Sequence, residues 1–194
     1  MAILTFVMFT VWALVRSFMN RPPGDYETEV CDIRLKDKKY DEAIVAANTA
    51  LQKTPNHRGA IMCKALVFIS EKKYKEANVE LDYLINFLEK NLQEDDKTGK
   101  GTLAAAYANR GIIKDRSEDY NGALKDYVKA LGIDYEAVAG PGLGTVILNY
   151  KFKSSSVKER ALYLNEQLQL PENERILKIE ELDEGQVMHK PGKL

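Results

Sequence analysis

Few residues in this chain have the types and spacing that support chemistry. It has two histidines and two cysteines. His57 follows Pro55-Asn56 at a turn and reads as a surface residue. His189 is far from it in sequence, and both lie outside the apolar helical stripes. Cys31 and Cys63 lack the CxxC spacing of a zinc site. They read as small buried residues rather than a disulfide framework. Gly140-Pro141-Gly142-Leu143-Gly144 is glycine-rich but is not a nucleotide fingerprint. No strand precedes it, and no Lys-Ser or Lys-Thr stands where a phosphate loop needs one. It reads as a break in the chain. No Ser, Cys or Asp sits in a nucleophile context, and the carboxylates are scattered over exposed helix faces. The expectation is a protein without enzymatic activity, with no catalytic residue, metal, cofactor or small-molecule substrate.

Composition narrows the class further. The 194 residues carry 28 Lys plus Arg against 29 Asp plus Glu, a net charge of -1. That balance argues against a nucleic-acid partner, which calls for a basic excess. Hydrophobic residues at 45% and charged residues at 29% describe a globular chain rather than a disordered one.

Residues 1–15 contain no charge, and Arg16 is the first. A helix over 1–19 reaches roughly 28 Å, close to the hydrocarbon thickness of about 30 Å. No basic region precedes the apolar run and no small-x-small site follows it, so it does not read as a cleaved signal. It reads as a single-pass transmembrane anchor, with Trp12 suited to the interface. Arg16 and Arg21 flank its C-terminal side. The positive-inside rule then places the following domain in the cytoplasm, the alternative being the opposite side.

Beyond the anchor, three segments share a pattern. They open at Tyr40-Asp41-Glu42-Ala43, Tyr74-Lys75-Glu76-Ala77 and Tyr120-Asn121-Gly122-Ala123. The tyrosines stand 34 and then 46 residues apart, the second gap being one more period plus 12. Each tyrosine opens an apolar stripe at helical spacing, and another helix precedes it. Short polar turns join the two. A small residue is needed on each helix where the axes cross. Cys31, Ala65 and Gly111 supply it on the first helices, and Ala43, Ala77 and Ala123 on the second. A large side chain there would overpack the pair, at a cost of about 1–3 kcal/mol.

This pattern resembles the tetratricopeptide repeat, most closely over Tyr107–Tyr135, and the resemblance covers roughly residues 24–137. The expected fold is all-α: a helical-hairpin solenoid of three units and a degenerate C-terminal pair, behind the transmembrane helix. The helix from Tyr74 should continue to about Leu92, since Glu89 replaces the usual terminal Pro. The expected boundaries are an anchor at 1–19, a linker at 20–27, a helical domain at 28–170 and a tail at 171–194. The insertion 93–102 reads as a loop. Val146–Tyr150 and Val157–Leu170 read as two further helices, with Ser155 or Ser156 as a cap. The tail should open with a helix from Glu172 to Leu182.

The resemblance implies a concave groove lined by first helices that holds a protein or peptide partner. Its members here are Thr28, Asp32 and Lys36 in the first unit, and Met62, Leu66 and Ile69 in the second. In the third they are Ala105, Ala108, Asn109, Ile112 and Arg116. Thr28 and Asp32 stand where some family members place a Lys and Asn that grip a terminal carboxylate, so that clamp is missing. An apolar or amphipathic segment is expected instead, with Asn109 bonding its backbone and Arg116 at the rim. The chain's own tail is an alternative occupant, through Leu177, Ile179 and Leu182. The functional expectation is a membrane-anchored scaffold or assembly factor. The alternative is a permanent accessory subunit of a membrane complex.

Overall fold

The computed structural model describes residues 2–19, 21–138, 157–179, 186 and 188–190. Among them every regular element is helical. The helices are α1 (Ala2–Met19), α2 (Asp25–Lys36), α3 (Tyr40–Lys53), α4 (Arg58–Ser70), α5 (Tyr74–Asn91), α6 (Lys97–Arg116) and α7 (Tyr120–Ile133). A short α8 (Tyr135–Val138), α9 (Val157–Gln169) and a 3-10 turn (Glu172–Glu174) complete the set. The chain forms two compact units, Met1–Cys63 and Lys64–Leu194.

The helix–turn–helix repeat has a common joint. Lys38, Lys72 and Glu118 each adopt left-handed backbone, with φ of 59°, 59° and 64°. Each stands two residues before a repeat tyrosine. The amide after each reaches back five residues: Lys39 to Arg34, Lys73 to Phe68 and Asp119 to Lys114, at 2.8, 2.8 and 2.9 Å. These are Schellman closures, which satisfy the last carbonyls of α2, α4 and α6 and reverse the chain.

In the first unit α2 packs on α3. Ala43, Ala46, Ala47 and Ala50 form the buried stripe of α3. Their i, i+3, i+4, i+7 spacing keeps small side chains on the face that meets α2. The expected linker 20–27 is shorter than its reading, because α2 already begins at Asp25 behind Gly24. Gly24 has φ of 98°, and a Cβ there would stand 2.9 Å from the His57 ring. Cys31 and Cys63 are joined in a disulfide. Both are fully buried as expected, but the reading of them as unpaired is corrected. Folding α2 and α3 back brings together sulfurs that lie 32 residues apart in sequence.

The expected transmembrane anchor needs correction too. α1 has 18 residues, about 27 Å at 1.5 Å per residue, and Arg16 falls in its last turn. Among the described residues no helix is long and apolar enough to cross a membrane.

In the second unit α6 packs against α5 and α7, and α9 packs on α7. Residues 101–109 of α6 are buried without interruption. At Gly111 an added Cβ would stand 2.6 Å from the Tyr127 ring, so this crossing requires glycine. The loop expected at 93–102 is only half correct, since α6 starts at Lys97. Asp96 caps it by accepting from the Gly99 amide at 2.7 Å, and composition alone hid that start. α5 ends at Asn91, one residue short of the expected Leu92. α9 confirms the helix expected from Val157, with Val157, Ala161 and Leu164 buried. The tail helix expected from Glu172 is limited to the single 3-10 turn, after which no helix is seen as far as Ile179. The readings at 140–144, 146–150, Ser155, Ser156 and Leu182 lie outside the described residues.

Candidate functional site

Within the second unit, a short segment of the tail meets the middle of α6. Asn109 is fully buried there. Its Nδ2 donates to the main-chain carbonyl of His189 at 2.7 Å, and its Oδ1 accepts from the His189 amide at 2.8 Å. A carboxamide offers one donor edge and one acceptor, the same pair that a neighbouring strand would offer. Asn109 therefore holds main chain without reading a side chain. The His189 imidazole beside it is pushed down to about 4 by burial, which disfavours its charged form.

Three residues earlier, Gln186 enters a buried polar pocket. Its Nε2 donates to Asp115 Oδ2 at 2.9 Å and lies 3.2 Å from the Tyr127 hydroxyl. Tyr127 donates to Asp115 at 3.1 Å. Arg160 closes the pocket with two bonds to the Asp115 carboxylate, at 2.8 and 2.7 Å. It also donates to the Leu177 carbonyl at 2.9 Å. Burial first, and then the Asp115 charge, push the Tyr127 phenol well above its ordinary range, so it stays a donor. Between the two anchor points the Met188 sulfur lies 4.0 Å from Ser70 Oγ.

Nearby ion pairs hold the helices that carry this site. Arg110 makes two bonds of 2.8 Å to Asp126 and one of 2.6 Å to Asp82, linking α6 to α7 and α5. Lys114 reaches the same Asp126 at 2.8 Å. Tyr107 donates to Glu89 at 2.6 Å. Burial, followed by that carboxylate, pushes its phenol up to about 12.

The other residues expected in the groove are placed differently. Met62, Leu66, Ile69, Ala105, Ala108 and Ile112 are all buried. Arg116 is half-buried and Lys36 is exposed. Lys36 and Met62 belong to the first unit and the rest to the second. Sequence reading missed Asp115, Tyr127, Arg160 and Gln186 as one site. A signal existed, because Asp115 continues the buried row Ala108–Gly111 of α6 and Arg160 adjoins Ala161 and Leu164 in α9. Opposite charges on two core faces are informative when each needs a partner.

In the first unit, Asp25, His57 and Thr28 line up as acid, imidazole and hydroxyl, at 2.8 and 3.3 Å. The hydrogen bonds assign them to capping. His57 Nδ1 accepts from the Ala60 amide at 3.2 Å, and Thr28 donates to the Gly24 carbonyl at 2.9 Å. His57 thus starts α4 and is largely buried, which corrects its reading as a surface residue. A separate open cleft of about 510 Å³ between α2 and α3 is lined by Tyr26, Val30 and Val45.

No family model matches the chain, and no curated protein matches it.

Proposed function

We propose that this chain is a protein-interaction module of the tetratricopeptide type, attached to a membrane through α1, that holds an extended peptide segment against α6. The observation that carries this reading is Asn109. A fully buried carboxamide that engages both main-chain polar groups of one residue is a main-chain clamp. The repeat supports the family reading, with three hairpins closed by the same left-handed turn.

The attachment rests on α1. Residues 5–12 are exposed at every position, and they include Phe6, Val7, Met8, Phe9, Val11 and Trp12. Eight consecutive positions face every side of a helix, so among the described residues none covers α1 there. Exposed apolar side chains of this number gain by leaving water for an apolar surrounding, which does not require the helix to cross a bilayer. Lipid supplies such a surrounding.

The disulfide favours the oxidising side of that membrane for the repeat domain, the alternative to the cytoplasmic reading. Such bonds persist in oxidising compartments and are rare in reducing ones. Two arginines argue the other way, and one of them, Arg21, is paired with Glu29 at 2.8 Å.

The test is crosslinking capture from membranes with the full chain, comparing wild type, Asn109→Ala and the surface control Lys129→Ala. A partner captured by wild type and control but lost by Asn109→Ala at unchanged helicity supports the reading. Equal capture by all three overturns it. Thiol alkylation of intact cells, without reductant, tests the compartment: labelled cysteines would return the domain to the cytoplasm.

A further inference from the structure

We infer that the Asn109 site selects segments with glutamine three residues before the residue whose main chain Asn109 holds, and that the tail segment carrying Gln186 and His189 is a built-in competitor which a partner segment of that pattern must displace. The inference rests on the peptide-holding reading and adds both the ligand chemistry and its regulation.

The seated segment shows what the site selects. Its first position places a primary amide against a carboxylate and a phenol: Gln186 Nε2 faces Asp115 at 2.9 Å and Tyr127 at 3.2 Å. Glutamate has the same shape, but its carboxylate would be set against the Asp115 carboxylate in a buried site. Lysine is longer and would add a charge to a carboxylate that Arg160 already neutralises. Glutamine fits because it donates without bringing charge. The third position, Met188, is half-buried and meets the Ser70 hydroxyl through its sulfur at 4.0 Å. The fourth is held only by its main chain through Asn109, so its side chain is not read through that contact. Two polar anchors thus stand three residues apart, the Gln186 side chain and the His189 main chain.

A tethered segment competes at an effective concentration of the order of 1 mM. If the free segment binds with Kd between about 10 and 100 μM, self-occupancy weakens a partner of equal quality about 10- to 100-fold. The module is closed until such a partner is abundant or itself tethered nearby.

The probe is a synthetic fluorescent peptide with the sequence of residues 184–193, titrated into the full chain. Gln186→Glu expels the resident segment, and this variant is expected to bind the peptide at least about tenfold more tightly than wild type. Adding Asn109→Ala to that variant should abolish binding, as should Glu in place of Gln in the peptide. Equal binding by wild type and Gln186→Glu, or tolerance of Glu in the peptide, would overturn the inference. Should Gln186→Glu fail to fold, amide exchange on the wild-type chain decides. Saturating peptide should strip protection from the chain's own His189 amide, and unchanged protection overturns the inference. This readout uses no cellular partner, so failure of membrane capture through Asn109 would remove the proposed function alone.

Discussion

Arg160 and Asp115 meet as a two-pronged ion pair, 45 residues apart in sequence, with each side chain only 1% exposed. The pair ties α9 to α6 and positions the acceptor that Tyr127 and Gln186 share. Asp115→Ala would leave the guanidinium buried without that carboxylate. The expected loss is about 3–5 kcal/mol, read as a lower urea midpoint. Replacing both partners with apolar residues, Asp115→Leu with Arg160→Met, should recover only part of it, because neither charge is then stranded but the buried Tyr127 and Gln186 donors lose their acceptor.

The three left-handed turn residues are an opportunity for stabilisation. A non-glycine residue there costs about 1–2 kcal/mol, and glycine gives back part of that gain through unfolded-chain entropy. Lys38→Gly, Lys72→Gly and Glu118→Gly should each stabilise by about 0.5–1 kcal/mol. The turns are separate, so the triple variant should gain about 2 kcal/mol. Chemical denaturation checks the sum, and a loss at any turn would contradict its Schellman geometry.

Reduction of the disulfide should destabilise the chain by about 3–4 kcal/mol, from closure of a loop of this length. Cys31→Ala with Cys63→Ala should reproduce that loss and become insensitive to reductant. Thermal melts with and without dithiothreitol measure both.

Docking of the tail should depend on acidity. Burial holds the His189 imidazole at about 4, while a free imidazole titrates near 6.5. Between those values the released segment binds more protons than the seated one. Seating is therefore strongest above about pH 6.5 and weakens as pH falls toward 4. At pH 5.5 the loss is about tenfold. Exchange of the His189 amide across this range, corrected for its intrinsic rate, should show it, and His189→Gln should flatten the profile.

The helices were legible because Tyr40, Tyr74 and Tyr120 each begin an amphipathic stripe, and periodicity is a local property. The small crossing residues were legible too, and Gly111 stands where its reading required. Boundaries set by one side chain were harder to read. Asp96 starts α6 inside a stretch whose glycines look like loop. The disulfide was not legible, since pairing depends on distance in space and the separation of 32 residues carries no such information.

The site divided along the same line. Asn109 was expected to bond the backbone of a partner segment, and in the structure it bonds that of His189 in the same chain. The Gln186 pocket draws on α6, α7, α9 and the tail, and no sequence window contains more than a part of it. The apolar residues expected beside Asn109 are core, because the same faces that could meet a partner already meet neighbouring elements.

The Cys31–Cys63 bond also decides how the first unit would carry tension. A pull applied along α1 enters α2 and reaches Cys31 within the first two turns of that helix. From there the covalent path crosses directly to Cys63 in α4. Residues 32–62, with the whole of α3, lie in a closed loop off that path. They would contribute no length when the chain is stretched, where an unbridged segment of that size would pay out roughly 100 Å. The hairpin would stay intact while the segments outside it yield first.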